Sequence, residues 1–437
     1  MNTFTMLLSL LLLLLVYSTQ ATHFFGTVMT YYPGDTHSDQ PFVVNFRYKM
    51  NFHECNQSDI WGCFTYNCLQ STYILNVVEV VKKESSGEWC QTEGHMIKQY
   101  SSDAPFEVVL DGGNWIDGIV NGIVSWRAVA LVELRNRSDT GKANSSPQTT
   151  IIPAVRVPSN CARDFVLLAF DPDGDVVKCR NGDESLSECN PCTPPSVLSL
   201  TPESCTLSFR PTDSSNEGPY AVQLVMEDFP RQNITLTQTD GTQTNLTTNN
   251  AIGKIPVQFV LRVDSPVPSC TEGLFLPLFL PPTPANGAQL YTPVGQTLEI
   301  SIKAEATNST ISELLYSGPY TIFQNKTGPG EFILSWTPSE SEAGESYPIC
   351  YVVQALFGVV KYHSDLRCVI VTVENVYVAA LSGRISFSLP FTADNVNSVI
   401  IQKIKEELEK RGLPPDASLR LVRGDQVLTT TTAPSYG

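Results

Sequence analysis

Hydrophobic and polar residues alternate along much of the first 150 positions. Residues 42–52 place Phe, Val, Phe, Tyr, Met and Phe at every second position, with Asn, Arg and Lys between them. This alternation predicts a strand with one face on a core and the other in solvent. Residues 73–81, 106–110 and 123–134 are further predicted strands, separated by Gly, Ser and Asp clusters. The pattern predicts an all-β domain over residues 22–150.

A sequence repeat follows this region. LSFRPTDSSNEGPY at 207–220 matches LSWTPSESEAGESY at 334–347 in Leu-Ser-aromatic-x-Pro-Thr/Ser, then in an acid, a Gly and a Tyr. In each copy, a segment of alternating apolar and polar residues follows this motif, and a second alternating segment ends the copy. An ordered match of this kind predicts tandem copies of one small domain, which we place at residues 159–265 and 266–375.

The pattern changes again in residues 376–437. Apolar residues recur with helical spacing after Asp394, charged residues occupy the opposite face, and Gly412 with Pro414 ends the pattern. Strand-like segments flank this helix and a Thr-rich tail follows. We predict a β-α-β fragment that cannot cover both faces of its sheet, either an incomplete domain or a segment packed on the preceding module.

The repeated segment also carries a resemblance. An aromatic-x-Pro-Thr/Ser stretch, an acidic Gly turn, then Tyr and an alternating strand resemble the tandem cadherin-like or immunoglobulin-like modules of extracellular proteins, over about residues 160–375. The whole chain resembles a group of cysteine-containing secreted proteins of bony fishes, which implies no activity. Short strands and Pro-rich junctions favour the same fold class. We expect a mainly β chain: tandem antiparallel β-sandwich domains with a small α+β C-terminal segment.

The N-terminus and the charge bear on location. Residues 1–21 have an apolar core followed by small residues, which predicts a cleaved secretory signal peptide. No later stretch is apolar for the ~20 residues that a spanning helix needs, so we expect a secreted, extracellular chain with no transmembrane anchor. A net charge of -16 argues against nucleic acid and against an anionic membrane surface as partners.

Twelve cysteines form an even number, which predicts disulfides in an oxidising compartment. The four N-terminal cysteines allow three pairings, of which we favour one. No second CxxC and no thioredoxin-like βαβ pattern surrounds the CNPC segment, so a bridge is favoured there over a zinc or redox site. The favoured set is Cys55–Cys90, Cys63–Cys68, Cys161–Cys270, Cys179–Cys205, Cys189–Cys192 and Cys350–Cys368.

Seven N-x-S/T triplets predict N-linked glycans. A glycan acceptor must lie on the surface of the folded chain. The triplet at Asn144 is the weakest candidate because Pro147 follows it closely. The seven candidate acceptors are Asn56, Asn136, Asn144, Asn233, Asn245, Asn308 and Asn325.

Three aspartates alternate in FDPDGDVVKC, residues 170–179: Asp171, Asp173 and Asp175. The spacing matches the start of an EF-hand loop, but Val and Gly stand where that loop needs Gly and Glu, so an EF-hand is excluded. Two interpretations remain. We favour a solvated turn whose carboxylates cap backbone amides; the alternative is a weak calcium site completed by a neighbouring carboxylate such as Glu184 or Asp264.

Other motifs are less specific. Arg423, Gly424 and Asp425 lie between two alternating flanks, which predicts a hairpin tip suited to integrin contact, although this tripeptide also arises by chance. The five histidines are scattered without an H-x-x-x-H pair, and no G-x-S-x-G, P-loop or G-x-G-x-x-G motif is present. We therefore do not expect an enzyme, or any cofactor other than calcium.

These patterns favour a secreted, glycosylated, disulfide-stabilised binding or structural ectodomain. Its partner would be an extracellular protein or glycan, recognised through loops and sheet faces. One alternative is a calcium-dependent adhesive or matrix spacer in which metal stiffens a rod of modules. Another alternative is a secreted enzyme of unidentified type.

Overall fold

A computed structural model describes residues 23–34, 42–63, 72–374, 406, 407 and 410. The chain divides into two units, Met1–Val376 and Tyr377–Gly437. In the second unit, Glu406 and Glu407 are helical, as predicted. The rest of the predicted β-α-β fragment, the predicted signal peptide and the Arg-Gly-Asp tripeptide lie outside the described residues.

The described part of the first unit is built mainly from β-strands, as the alternation predicted. The strands are β1 (Phe24–Pro33), β2 (Phe42–Phe52), β3 (Thr72–Lys83), β4 (Cys90–Tyr100), β5 (Phe106–Asn114), β6 (Ser125–Val132), β7 (Asn136–Arg137), β8 (Ala154–Pro158), β9 (Arg163–Val166), β10 (Val176–Asn181), β11 (Leu198–Thr201), β12 (Thr206–Phe209), β13 (Gly218–Phe229), β14 (Ile234–Thr237), β15 (Gln243–Leu246), β16 (Gly253–Asp264), β17 (Leu278–Leu280), β18 (Ala288–Pro293), β19 (Leu298–Glu305), β20 (Thr310–Ser317), β21 (Phe323–Gly328), β22 (Glu331–Trp336), β23 (Ser346–Phe357), β24 (Val360–His363) and β25 (Arg367–Glu374). Short 3-10 helices span Glu184–Leu186, Pro202–Ser204, Ser214–Asn216 and Glu340–Glu342.

One large sheet contains most strands of the first half. Its main path runs β10-β13-β16-β1-β2-β4-β3, and β5, β6 and β8 join it through β16 and β6. Because β1 pairs with β16 at Val28 and Val257, the sheet continues across the boundary that the sequence places at residue 150. The division of this region into separate domains at residues 22–150 and 159–265 stays a prediction.

The repeat corresponds to two copies of one topology. In the first copy, β9 pairs with β12, β13 pairs with β16, and β8 runs parallel to β16. In the second copy, β19 pairs with β22, β23 pairs with β25, and β18 runs parallel to β25. Each copy carries a short 3-10 helix between the equivalent strands β12–β13 and β22–β23. Identical pairing in identical order is the structural counterpart of the sequence repeat.

Strand β2 corrects the expectation of a strand with one solvated face. Its apolar residues face the core as predicted, but Lys49 is only 8% exposed and Asn51 is fully buried. The second copy contacts this polar face: Lys49 donates to the carbonyl oxygen of Gly318, and Arg47 pairs with Glu345. A period-two pattern identifies the strand and its apolar face, but it cannot tell whether a distant segment covers the polar one.

The five disulfides that the structure describes are the favoured pairs Cys55–Cys90, Cys161–Cys270, Cys179–Cys205, Cys189–Cys192 and Cys350–Cys368. Pairing of Cys63 with Cys68 lies outside the described residues. Each bridge restricts the unfolded chain and typically contributes ~2–4 kcal/mol. In the part of the chain that the structure describes, no helix is long and apolar enough to cross a membrane.

Candidate functional site

The three aspartates occupy the loop between β9 and β10. Asp171 Oδ1 accepts hydrogen bonds from the backbone amides of Asp173, at 2.9 Å, and Asp175, at 3.0 Å. Gly174 sits between them with φ +84°, a conformation that glycine adopts without strain. The carboxylate of Asp171 caps backbone amides as we favoured, but the turn is not solvated, because Asp171 and Asp175 are each only 8% exposed and the Asp173 side chain is fully buried. The turn nevertheless brings the three carboxylates together, with one oxygen of each within 4.8 Å of the others.

A buried arginine supplies positive charge to this cluster. The side chain of Arg137 is fully buried, and its guanidinium binds both carboxylate oxygens of Asp175, with Nη2 at 2.9 Å from Oδ1. Arg137 Nη1 lies 3.8 Å from Asp173 Oδ2, and Nη2 lies 2.9 Å from Asp139 Oδ2. Lys142 Nζ adds a contact to Asp173 Oδ1 at 2.7 Å. The chain therefore places two of its own cations against the aspartates.

An asparagine connects this arginine to a fourth aspartate. Asn144 Oδ1 accepts from Arg137 Nη1 at 2.5 Å, and Asn144 Nδ2 donates to Asp228 Oδ2 at 2.6 Å. Asp228, on β13, is fully buried and also accepts from the backbone amide of Gly253 at 2.9 Å. Segments from three parts of the chain thus meet in one polar cluster, which we call the Arg137 cluster: Arg137, Asp139, Asn144, Asp171, Asp173, Asp175 and Asp228.

The cations do not neutralise every carboxylate in the Arg137 cluster. Burial, together with the negative charge of Asp228, raises the pKa of Asp171 to about 8. Burial also raises the pKa of Asp228 to about 7, although the hydrogen bond from Asn144 opposes this. Asp171 Oδ2 is buried and has no hydrogen-bond partner. This oxygen is the one feature of the cluster that a bound cation, or a proton, would satisfy.

Sequence reasoning found the three aspartates but missed the residues that bind them. Arg137 lies outside the strands that the alternation predicted. Asp228 did carry a signal, because it continues the every-second-residue series of Leu224 and Met226 along β13. A carboxylate on the apolar series of a strand needs a buried partner, and the pattern alone cannot name that partner.

The structure corrects one predicted glycan acceptor. Asn144 is fully buried, and both atoms of its amide are hydrogen-bonded within the Arg137 cluster. The triplet at Asn144 is therefore inaccessible in the folded chain. The other six acceptors are exposed, as a glycan requires: Asn56, Asn136, Asn233, Asn245, Asn308 and Asn325.

The contrast between buried and exposed acceptors gives a prediction. Asn144→Ala leaves Arg137 and Asp228 each without a buried hydrogen bond and is expected to cost about 1–3 kcal/mol per unsatisfied group. Asn308→Ala removes an exposed side chain and is expected to change stability by less than about 0.5 kcal/mol. Urea unfolding of enzymatically deglycosylated protein compares the two, and equal midpoints would contradict the role of Asn144.

Charged groups also lie between the large sheet and the second copy. Lys49 Nζ lies 3.1 Å from Glu93 Oε2 and donates to the carbonyl oxygen of Gly318. Glu93 Oε2 accepts from the backbone amide of Tyr320 at 2.7 Å. Lys49 and Glu93 come from neighbouring strands β2 and β4, whereas Gly318 and Tyr320 follow β20. This buried pair therefore ties the sheet to the second copy.

A second polar group joins the same two parts of the molecule. Lys361, on β24, lies 2.8 Å from Glu84 Oε1 and 2.9 Å from Glu88 Oε2, in the β3–β4 turn. Glu88 also binds Arg156 at 2.6 Å, which brings β8 into the network. These ionic contacts fix the turn between the two copies of the repeat. We refer to these contacts and those of Lys49 and Glu93 together as the inter-copy contacts, a name that here covers the charged contacts between the large sheet and the second copy.

The inter-copy contacts hold their carboxylates ionised. Burial alone would raise the pKa of Glu93, but the positive charges of Lys49 and His95 hold it at about 2. Against the effect of burial, the hydrogen bond from Lys361 keeps the pKa of Glu84 at about 2, and the positive charges of Arg156 and Arg262 keep the pKa of Glu88 at about 2. These three groups contribute stability above the ordinary Glu pKa of about 4.5, and that stability is lost as the pH falls toward 2.

His363 adds a further group that responds to acid. It is 3% exposed, and its Nε2 lies 3.1 Å from Gln354 Oε1. The Gln354 amide donates to Glu313 at 3.0 Å, so its oxygen faces the imidazole, and Nε2 carries the proton of a neutral ring. Burial, reinforced by the charge of Arg156, lowers the pKa of His363 well below its usual value.

A pH dependence follows from His363. A depressed histidine pKa contributes stability above pH ~6.5 that is lost as the pH falls below it. The raised pKa values of Asp171 and Asp228 change stability with pH in the opposite direction to His363. The test therefore compares the wild-type chain with a variant that lacks only the imidazole of His363. Between pH 7 and 5, the Tm of the wild-type chain is expected to fall relative to that of His363→Gln. Parallel Tm curves for the two chains would contradict this assignment.

The remaining predicted sites differ in outcome. Cys189 and Cys192 are joined, which accounts for the CxxC motif as a bridge. The rings of His23 and His53 lie 5.5 Å apart, a contact that the sequence spacing did not indicate. Among the described residues, Asp171, Asp173 and Asp175 form the one group of three or more His, Cys, Asp or Glu side chains with metal-like proximity. Arg423, Gly424 and Asp425 lie outside the described residues.

Comparison with curated proteins finds weak similarity to integrin beta-like proteins of Dictyostelium discoideum. Integrin beta-like protein A is 25% identical over 320 residues, covering 67% of this chain and 16% of that protein. Integrin beta-like protein B is 23% identical over 363 residues, covering 77% of this chain and 18% of that protein. The chain thus spans less than a fifth of the length of these relatives. No family model matches the chain.

Comparison with solved structures finds cadherin, titin and fibronectin(III)-like modules and an endo-fucoidan hydrolase of glycoside hydrolase family 107, all at low TM-scores. Human protocadherin-24 EC1-2 is 13% identical, with a TM-score of 0.17, and the match covers 53% of this chain and 99% of that chain. Tandem domains A168–A169 of titin are 11% identical, with a TM-score of 0.16, over 52% of this chain and 99% of that chain. TM-scores this low carry no inference about function. The predicted resemblance to secreted fish proteins stays a prediction.

Proposed function

We propose that this chain is a secreted, glycosylated binding or structural ectodomain that recognises an extracellular protein or glycan through its loops and sheet faces. The observation that carries the proposal is the set of inter-copy contacts. They are buried or half-buried, charged and paired with one another, and they hold the second copy against the large sheet. Together with the disulfides, they present the surface loops from one rigid body, and rigidity lowers the entropy cost of binding.

Secretion is tested by expressing the full chain in cultured cells with a C-terminal tag. We expect the chain in the medium with its N-terminus after residue 21 and with glycan on exposed acceptors. A matched chain that starts at residue 22 is expected to stay inside the cell without glycan. A full chain retained in the cytosol without glycan would overturn the secretory part of the proposal.

Recognition is tested with the secreted chain displayed as fluorescent multimers, applied to a panel of cell surfaces, matrix proteins and immobilised glycans. Saturable binding to one class, competed by the unlabelled monomer, is the expected result. Reduced and alkylated chain serves as the control because it loses the rigid presentation. Absence of saturable binding anywhere on the panel would contradict a recognition role.

A calcium-dependent spacer is a second candidate, favoured by the unpartnered Asp171 Oδ2 in the aspartate turn. The residues fit calcium in part: oxygen ligands are present, but Arg137 and Lys142 already contact Asp175 and Asp173. Were calcium bound, Asp171, Asp173 and Asp175 would hold it. The metal would then supply the charge that the cluster lacks.

Calcium is tested by the Tm in millimolar calcium against the Tm in a chelator. A bound ion at 100 times its Kd stabilises by about 2.7 kcal/mol, and Asp171→Asn removes the charge while keeping the Oδ1 acceptor. A calcium-dependent rise in the Tm of wild type, absent in Asp171→Asn, supports the spacer. An unchanged Tm overturns it. That the chain is not an enzyme stays a prediction.

A further inference from the structure

A polar cleft opens beside the first glycan acceptor. It lies between residues 56–59, which follow β2, and the end of the β5–β6 hairpin at which β5 ends and β6 begins. Its volume is about 550 Å³. This volume falls within the ~300–1,000 Å³ of small-ligand sites. Its lining consists of Phe52, Asn56, Gln57, Ser58, Asp59, Gly113, Asn114 and Trp126.

Glycine and two aromatic rings shape this cleft. A Cβ on Gly112 would lie 2.5 Å from Asp59 Oδ2 and 2.6 Å from the indole of Trp126, so only glycine lets these two side chains approach the strand. Phe52 and Trp126 supply the apolar floor of the cleft, which is small because the two residues are only 3% and 2% exposed. Their rings lie 5.9 Å apart in an edge-to-face arrangement. The opening is thus a built feature of a rigid part of the fold.

The chemistry of the walls matches a saccharide. Amide, hydroxyl and carboxylate groups line the rim over an aromatic floor, and sugars combine hydroxyl hydrogen bonds with apolar C–H faces. Gly113, in the β5 wall, adds no side chain that would narrow the opening. No cation faces Asp59 within the lining, so the cleft suits a neutral ligand better than an anion.

The acceptor triplet itself forms one wall. Asn56, Gln57 and Ser58 all line the cleft, and Asn56 is exposed. The adjacent Cys55–Cys90 bridge fixes this segment to β4. A glycan on Asn56 therefore starts at the mouth of the cleft. Tethering gives the sugar a local concentration in the millimolar range, which suffices for a weak saccharide site.

We propose that the cleft is a saccharide-binding site occupied by the N-acetylglucosamine residues of the chain's own glycan on Asn56. The proposal rests on the proposed function, because it needs a glycosylated chain. It goes beyond the proposed function because it assigns a structural role to the glycan on one acceptor, Asn56. The glycan on Asn56 covers the cleft, whereas the glycans on the other exposed acceptors extend into solvent.

The test compares three secreted chains. Ser58→Ala removes the acceptor triplet, Ser58→Thr preserves it, and Asn308→Gln removes a glycan from a site away from the cleft. Under native conditions, an endoglycosidase is expected to release the Asn56 glycan at least tenfold more slowly than the Asn308 glycan, as followed by glycopeptide mass spectrometry. Ser58→Ala is expected to lower the Tm by about 3 °C, whereas Ser58→Thr and Asn308→Gln leave it unchanged.

A second measurement keeps the test independent of folding. Free N,N′-diacetylchitobiose, added at millimolar concentration to Ser58→Ala, is expected to restore the Tm and to change tryptophan fluorescence through Trp126. The same sugar is expected to leave the wild-type chain unchanged because its cleft is filled. Equal release rates at Asn56 and Asn308, or no effect of chitobiose on Ser58→Ala, would overturn the proposal.

The two proposals fail in different ways. If Asn56 carries no glycan while other acceptors do, the cleft proposal is wrong and the secreted ectodomain stands. If no acceptor carries glycan and the chain stays in the cell, the proposed function is wrong. If chitobiose also binds the wild-type chain, the cleft takes sugars from outside and its occupation by the Asn56 glycan is overturned.

Discussion

Replacing Arg137 by Met is expected to lower the free energy of unfolding by about 3–5 kcal/mol, the usual cost of leaving a buried charge without its partner. Met keeps much of the length of the side chain, so the loss reports on charge more than on volume. Without the guanidinium, Asp173 retains Lys142 and the amide and hydroxyl of Ser145, whereas Asp175 loses both of its hydrogen bonds from Arg137. Urea unfolding at pH 7, followed by tryptophan fluorescence, measures the effect.

Arg210→Met is the matched control for this experiment. The side chain of Arg210 is 65% exposed and pairs with Asp164 at 3.3 Å, an arrangement typically worth little. Its replacement is expected to change stability by less than about 0.5 kcal/mol. If Arg137→Met cost no more than Arg210→Met, the central place of Arg137 in its cluster would be wrong.

The same variant separates two accounts of the aspartate turn. With Arg137 in place, the aspartates already have a cation from the chain. Without it, three carboxylates lie within reach of one another, and calcium is expected to stabilise Arg137→Met more than it stabilises the wild-type chain. Equal effects of calcium on the two chains would show that the guanidinium does not compete for the metal position.

The second large effect is expected at the Lys49–Glu93 pair. Glu93→Leu leaves Lys49 buried without its partner and is expected to cost about 3–5 kcal/mol. Lys49→Met is expected to cost less, because His95 Nε2 stays 3.0 Å from Glu93 Oε1. The double variant removes both charges and replaces them with apolar groups. Its cost is expected to be clearly smaller than the sum of the two single costs, because the remaining loss comes from Gly318 and Tyr320, whose backbone groups lose a partner.

This double-mutant cycle also tests whether the pair joins the two copies. Limited proteolysis of the single variants is expected to cut the segment between β16 and β17 faster than in the wild-type chain, since the second copy is held less tightly. The exposed pair Lys303–Glu331, at 2.8 Å, provides a control cycle with little coupling expected. Additive costs at Lys49 and Glu93 would contradict a buried interaction.

Local patterns identified most of the fold because they reflect local physics. Period-two alternation found β2, and the repeated Leu-Ser-aromatic-x-Pro segment found two copies of one topology. Cysteine spacing favoured the bridges that the structure forms, since partners on adjacent strands or at the ends of one module come close in any sandwich. The aspartate turn followed from Asp and Gly chemistry over five residues.

Long-range contacts decided what these patterns left open. Lys49 looked like a solvent-facing residue until Gly318 of the second copy covered it. Asn144 matched a glycan acceptor by sequence, yet its amide is buried between Arg137 and Asp228. In each case the missing information was a partner more than 80 residues away in the chain, as for Asn144 and Asp228.

The sequence by itself determined that this protein is a mainly β chain with two repeated modules, and it favoured five of its disulfides and the turn in which Asp171 caps backbone amides. These features depend on side-chain periodicity, backbone preference and spacing, which are local. Only the tertiary structure decided that Arg137 fills the aspartate cluster, that charged pairs hold the second copy to the large sheet, and that a cleft opens beside Asn56. Burial sets the strength of each of these interactions, and burial is a property of the whole fold.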